Sequence, residues 1–293
     1  MKTEFTKNEA EEFISRQMEE NDLVRLVDPV SRKVIDENDA GGLLESCHSL
    51  WGRCDRCENC TSMRALKTGD KYYKIELLNG HTFWVQSRFM RIDGKPCVAE
   101  IVSDVTGNFI MDTDQRDELG SIIRSYNRQL ITDSMTGVYN RRFLDEDFVP
   151  SISCCRDHGV NVNLAIMDLD SFKKVNDSYG HQAGDMLLRD VAGFWRLHFD
   201  SRKKENERIV VRYGGDELLI ISCGQPPEDF RREVGAYYAQ MRRICYYTNE
   251  IQIPFSITFG FASSQEFGDG WEWTELFDTA DRRLYDSKSE RAE

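Results

Sequence analysis

The chain has 293 residues, with 38 lysines and arginines against 51 aspartates and glutamates and a formal charge of −13. That balance repels DNA, RNA and anionic lipid unless a local basic patch overrides it, so no nucleic acid and no membrane is expected as a partner. No apolar run reaches the roughly 18 residues of a membrane span, and residues 1–10 carry no signal-peptide core, so a cytoplasmic protein of two domains is expected.

Residues 7–20 place Ala10, Phe13, Ile14 and Met18 at helical spacing, giving a weak amphipathic helix. Short strands follow at 23–26 and 33–35, around Asp28-Pro29. Cys54, Cys57 and Cys60 then form a Cys-x2-Cys-x2-Cys run, with Cys47 seven residues earlier. In a reducing compartment this spacing suits a four-thiolate zinc site or an iron–sulfur cluster, and it also suits a metal-free loop. Cys97, Cys154, Cys155, Cys223 and Cys245 read as small apolar residues. Strands at 72–78, 82–89 and 97–102 are joined by Asn79-Gly80 and Asp93-Gly94, strong hairpin dipeptides, and make an antiparallel meander. Residues 112–130 are charged but carry Leu119, Ile122, Tyr126 and Leu130 on one helical stripe. The stripe suits a short parallel coiled-coil connector or packing on the next domain.

From Ile131 strands and helices alternate. A buried strand at 162–167, helices at 183–198, 228–247 and 275–287, a hairpin at 209–221 and a strand at 252–262 imply an α/β sandwich on a central mixed sheet. The hairpin is the most informative segment: Gly214-Gly215 sits between two apolar runs, and Asp216 and Glu217 follow at once. Crowding two carboxylates is unfavourable unless a cation or a proton transfer uses them. Asp168 closes the preceding buried strand, so acids can converge at one sheet edge, where hard oxygen ligands suit magnesium. Around a nucleoside triphosphate, two such ions would activate a hydroxyl, neutralise the α-phosphate and stabilise the pyrophosphate leaving group. Ser171-Phe172-Lys173 opens a helix whose first amides and dipole can cradle phosphate, with Lys173 adding charge. Taken singly, Lys173 reads as a solvated lysine, Asp185 as a dipole-stabilised helix acid and Asn176 as a turn residue.

Four blocks in register resemble the GGDEF family, the diguanylate cyclases, over residues 131–288. The first runs from Asp133-Ser134-Met135-Thr136-Gly137 to Asn140-Arg141-Arg142. The second is Asp168-Leu169-Asp170-Ser171-Phe172-Lys173 with Asn176-Asp177 and Gly180 to Asp185. The third is Gly214-Gly215-Asp216-Glu217-Leu218, and the fourth is Ser256 to Gly260 followed by Ala280-Asp281 and Tyr285 to Lys288. The resemblance implies an enzyme that condenses two GTP into cyclic di-GMP and two pyrophosphates. It implies two Mg2+ or Mn2+ per site, held by Asp168, the Leu169 carbonyl, and Asp216 or Glu217. Asp216, Glu217 and Lys173 are the implied catalytic residues, with Asp216 the candidate for accepting the 3′-hydroxyl proton. Ser171, Phe172, Lys173, Gly214, Gly215 and Lys288 are expected at the GTP, and Asn176 with Asp185 is expected to read guanine. A carboxylate accepts from both guanine N1–H and its exocyclic amine, and adenine lacks both donors along that edge.

Because the product is two-fold symmetric and each domain resembles a one-GTP half-site, a homodimer is expected. The N-terminal strand order and the closing Asp104-Val105-Thr106 resemble a PAS sensor domain. The resulting organisation is α/β (α+β): a PAS-like antiparallel domain with the cysteines at 1–108, a helical signalling connector at 109–131, and a cyclase domain with a flanked mixed sheet at 132–293. The chain departs from the family pattern in three places. Leu218 replaces phenylalanine, Arg291-Ala292 stands where a glycine-arginine pair follows Lys288, and Glu205-Asn206-Glu207-Arg208 replaces the arginine-x-x-aspartate of product-inhibited members. A catalytically silent domain serving as a GTP-binding or protein-interaction scaffold, or a relative using another nucleotide pair, are the alternatives.

Overall fold

The computed structural model describes all residues except 1, 36–45, 53–56, 58–59, 109–112, 158, 201–206, 243–246, 249–250 and 293. The chain forms two units, one of Met1–Leu130 with Asp145–Ser151 and one of Ile131–Leu144 with Ile152–Glu293.

The first unit runs β1 (Glu4–Phe5), α1 (Lys7–Met18), β2 (Leu23–Asp28), β3 (Lys33–Val34), α2 (Thr61–Thr68), β4 (Lys71–Leu78), β5 (His81–Ile92) and β6 (Lys95–Asp104). Helix α1 starts at a reciprocal cap: the Thr6 hydroxyl accepts from the Glu9 amide, and the Glu9 carboxylate accepts from the Thr6 amide. The strand order is β3-β2-β6-β5, with β4 and then β1 paired one after the other along the far edge of β5. Both expected hairpins form. Asn79 and Gly80 have φ of 52° and 80°, and Asp93 and Gly94 have 48° and 81°, the mirror-image turn that matches strand twist. Beneath α2, buried Arg25 lies directly across from buried Glu100, with Nη2 2.5 Å from Oε2. A buried ion pair of this kind fixes register more than it adds stability. At the end of β6, Asp104 Oδ1 accepts from the Thr106 amide at 2.8 Å and from the Thr106 hydroxyl, while Thr106 Oγ1 accepts from the Thr82 amide at 2.9 Å. These bonds from Thr106 pull the Asp104 carboxyl down to about 2.

Helix α3 (Thr113–Ile131) follows, and its apolar stripe faces solvent: Ile122, Tyr126 and Leu130 are 44%, 65% and 38% exposed. The second unit holds β7 (Tyr139–Asn140), α4 (Arg141–Phe143), the later part of α5 (Val149–Asp157), β8 (Val162–Leu169), α6 (Phe172–Tyr179), α7 (His181–Phe199), β9 (Arg208–Gly214) and β10 (Glu217–Cys223). It ends with α8 (Pro227–Met241), β11 (Tyr247–Thr248), β12 (Ile251–Gln252), β13 (Ile257–Ser263) and α9 (Trp273–Ala292). Its main sheet has the order β13-β8-β10-β9-β7 and is mixed, since only β7 runs parallel to its neighbour.

Two sequence expectations need correction. The helix expected to reach residue 247 ends at Met241, because Tyr247-Thr248 pairs with Ile251-Gln252 as a small hairpin of β-favouring residues. The strand expected from 252 to 262 is broken at Pro254, which has no amide for the ladder, and β13 begins only at Ile257.

Every residue of β8 is buried, as a strand covered on both faces requires. On one face Ala165 and Met167 join a core with Leu187, Val191 and Trp195 of α7 and Phe230 and Val234 of α8. Burying an aromatic of the size of Trp195 contributes about 2–3 kcal/mol. On β13, Gly260 lets α9 close in, because a Cβ there would lie 2.0 Å from the Ala280 carbonyl oxygen and 2.6 Å from the Leu284 amide.

Candidate active site at the hairpin edge

Strands β9 and β10 turn over through Gly215 and Asp216, with Gly214 paired to Glu217. The second glycine is the one the turn demands, having a φ of 52°, and Asp216 occupies the tip. A register shift between Glu217 and Leu218 bends the strand there. Leu218 is fully buried, so this position serves packing and the leucine fills it.

The pairing of β10 with β8 puts Glu217 directly opposite Asp168. From α9, Lys288 Nζ reaches Asp168 Oδ1 at 2.5 Å. Burial raises the Asp168 carboxyl above its usual range, the Lys288 contact opposes this, and the Asp216 charge adds to the rise. Glu217 is also raised, first by burial and then by the charges of Asp168, Asp216 and Asp281. Converging carboxylates that raise one another are the donor set that a hard divalent cation fits, and the Leu169 carbonyl lies at the same strand end. Among the described residues no group of three or more His, Cys, Asp or Glu side chains is gathered closely enough to hold an ion as they stand. Cys47, Cys57 and Cys60 are among those residues, while Cys54 lies outside them.

Helix α6 begins immediately beyond β8. Its N-cap, Ser171, is left-handed at φ 53° and ψ 33° and makes no side-chain cap bond. The amides of Phe172 and Lys173 therefore open the helix, ahead of Lys174 and Val175, whose amides donate to the Ser171 carbonyl at 2.8 and 3.3 Å. Lys173 itself is exposed. Where α6 meets α7, Gly184 leaves room for the Asn176 side chain, since a Cβ would sit 1.9 Å from Asn176 Oδ1. That oxygen is buried and has no hydrogen-bond partner, an unfilled acceptor at the position expected to read a base. Asp185 is exposed on α7, four residues past the helix start and next in sequence to Gly184.

Three residues that sequence reasoning left without a role shape this edge. Asp133 Oδ1 accepts from the Thr136 amide at 2.9 Å, the Thr136 hydroxyl at 2.7 Å and Arg212 Nη1 at 3.0 Å. Burial pushes its carboxyl up, and the Thr136 and Arg212 bonds outweigh that and hold it below the usual range. Arg212 Nε and Nη2 donate to the Gly215 carbonyl at 3.1 and 2.8 Å, so one guanidinium ties the first motif to the hairpin corner. The third is Asp170, whose carboxylate faces β13. The Asp-x-x-Thr spacing was a readable turn signal for Asp133, whereas nothing local announced the reach of Arg212 or Asp170.

The family model described as "Diguanylate cyclase, GGDEF domain" matches residues 130–293. The chain belongs to the GGDEF-domain diguanylate cyclase family. Among curated GGDEF relatives, diguanylate cyclase DgcP of Escherichia coli is 34% identical over 135 residues, which is 45% of this chain and 38% of that protein. Cyclic di-GMP phosphodiesterase PdeR of Escherichia coli is 32% identical over 163 residues, 54% of this chain and 22% of that protein. The match thus spans well under half the length of either relative. A crystal structure of the coiled coil and GGDEF domain of DgcB from Caulobacter crescentus, in complex with c-di-GMP, shares the fold. It has a TM-score of 0.53 and 23% identity, covering 60% of this chain and 90% of that one. Among the described residues no helix is long and apolar enough to cross a membrane.

Proposed function

We propose that this protein is a diguanylate cyclase that joins two GTP molecules into cyclic di-GMP with release of two pyrophosphates. The observation that carries the reading is the registered pair of Glu217 and Asp168 beneath an Asp216 hairpin tip, with the Lys288 ammonium on Asp168. Asp168, the Leu169 carbonyl, Glu217 and Asp216 would hold Mg2+ or Mn2+, two ions per site, which supply charge neutralisation at the α-phosphate and the leaving pyrophosphate. The side chains and backbone do the rest. The Phe172 and Lys173 amides face the triphosphate, with Ser171 setting their direction, and the Lys173 and Lys288 ammonium groups add charge there. Gly214 and Gly215 leave the hairpin backbone open to close approach by phosphate. Asn176 Oδ1 and the Asp185 carboxylate accept from the guanine edge, which disfavours adenine. Asp216 takes the proton of the 3′-hydroxyl as its oxygen moves to the other nucleotide's α-phosphorus, and pyrophosphate departs.

One chain supplies one GTP site, so the working form is a homodimer with its two sites facing. The exposed stripe of α3 is the face on which two copies would pair. The Met1–Leu130 unit is read as a PAS-like sensor, supported by the β3-β2-β6-β5-β4 order and the clasp at Asp104 and Thr106. Residues 109–131 would carry its signal to the cyclase part, 132–293. The described thiols give a zinc or iron–sulfur centre no support, and the proposed function requires none. Burial pushes the Cys60 thiol up to about 11 and raises Cys47 further.

Arg208 replaces the aspartate of the family's inhibitory motif and is engaged with Glu233 at 2.7 Å, so product inhibition through that motif is not expected. A silent GTP-binding scaffold is the second reading, motivated by Arg291-Ala292 standing where the family's glycine-arginine pair follows Lys288. Incubation with GTP, ATP and their mixture, with mass analysis of products, separates the readings. Cyclic di-GMP should form from GTP alone and vanish in a folded Asp216→Ala variant, whereas GTP binding without turnover by the parent protein would favour the scaffold.

A further inference from the structure

Several acids lie near the hairpin edge, and Asp170, two residues beyond Asp168, invites assignment as another metal ligand or base. Its surroundings argue otherwise. Asp170 Oδ2 accepts from the Ser256 hydroxyl at 2.6 Å, and Oδ1 accepts from the Thr258 hydroxyl at 2.5 Å. Its amide donates to the Ser256 carbonyl at 2.9 Å, continuing the β8–β13 ladder one step past the end of both strands. Short bonds to an ionised acceptor are about twice as strong as neutral ones, so three anchors pin Asp170 to the start of β13.

The next residue, Ser171, is one of four non-glycine residues with positive φ among the described residues, and the others, Arg32, Asn79 and Asp93, lie in the first unit. A serine is sterically disfavoured in that conformation and keeps it only where neighbours over-determine it. On its C-terminal side Ser171 is held by the amides of Lys174 and Val175 on its carbonyl. On its N-terminal side the pinned Asp170 is the remaining constraint.

We propose that Asp170 is a positioning residue that fastens the β8–α6 corner to β13, fixes the left-handed Ser171 and thereby aims the first amides of α6 at the nucleotide phosphates. Ser256 and Thr258 are its working partners. This role rests on the cyclase reading for its consequence but not for its mechanics.

The test uses the full chain with Asp170→Asn, Asp170→Ala and the pair Ser256→Ala with Thr258→Val. Asparagine can still accept from Thr258 and can donate to Ser256, so it should behave nearly as the parent. In nucleotide-free protein, exchange of the Lys174 and Val175 amides should quicken about tenfold in Asp170→Ala and in the donor-free pair, but less than about threefold in Asp170→Asn. With GTP and Mg2+, the KM should rise about tenfold in Asp170→Ala and in the donor-free pair while kcat and the Mg2+ concentration for half activity hold. The proposal is overturned if Asp170→Asn is as damaging as alanine and shifts the Mg2+ midpoint while the hydroxyl-free pair is silent, or if amide exchange is the same in all forms. A parent protein that neither binds nor converts GTP would sink the cyclase reading instead, and the exchange comparison would still decide the fastening role.

Discussion

At the scale of single residues, the edge is built by what is missing as much as by what is present. Gly184 has no Cβ because Asn176 Oδ1 occupies that space, and this oxygen is the unfilled acceptor of the proposed guanine site. Gly184→Ala should therefore push Asn176 aside with little effect on the buried core. Equilibrium binding should report GTP affinity reduced about tenfold and a narrower gap between GTP and ATP, with a melting temperature near that of the parent. A large loss of stability with unchanged nucleotide preference would show that Gly184 serves packing alone. The convergence of Asp168 and Glu217 beside the Asp216 turn was legible because acids in a hairpin and at a strand end advertise themselves. Asp170 was not, because its meaning lies in two hydroxyls 86 and 88 positions away. Arg212 was hidden for a similar reason, since its partner Asp133 is 79 positions away.

At the scale of elements, periodicity located most pieces and erred where chemistry interrupts it. The mostly apolar, fully buried β8 and the two Asx-Gly hairpins could be read directly, since a doubly covered strand and a mirror-image turn each have a local signature. The break at Pro254 and the early end of α8 were missed because β11 and β12 stabilise each other only as a pair. Helix α9 gives the element scale its sharpest test. Gly260 on β13 admits the Ala280 and Leu284 backbone, and one turn further along the same helix Lys288 touches Asp168. Gly260→Ala should lift α9 from the sheet, destabilising the unit by about 1–3 kcal/mol in denaturant melts. GTP turnover should fall more steeply than stability does, because Lys288 moves with the helix. Unchanged turnover in a destabilised variant would separate Lys288 from the reaction.

At the scale of the whole molecule, the proposed reaction needs more than one chain. A stripe with Ile122 44% and Tyr126 65% exposed is expensive to leave in water, and its spacing is that of a two-stranded seam. Ile122→Glu with Tyr126→Glu should shift sedimentation from dimer towards monomer, with product formation falling in step and GTP binding per chain unchanged. Full activity in a strictly monomeric variant would refute the paired arrangement. Length led to an expectation of two domains, and the chain forms two units, but composition was silent on how copies would meet, because that depends on which side of α3 stays uncovered.

The bond between Arg208 and Glu233 bears on how the product would be rationed in a cell. Arg208 also lies 5.2 Å from the Phe199 ring, so its guanidinium is absorbed into the protein's own fabric. A synthase wired this way lacks that thermostat: messenger would go on accumulating until a separate hydrolase matched the pace of synthesis or the incoming stimulus ceased.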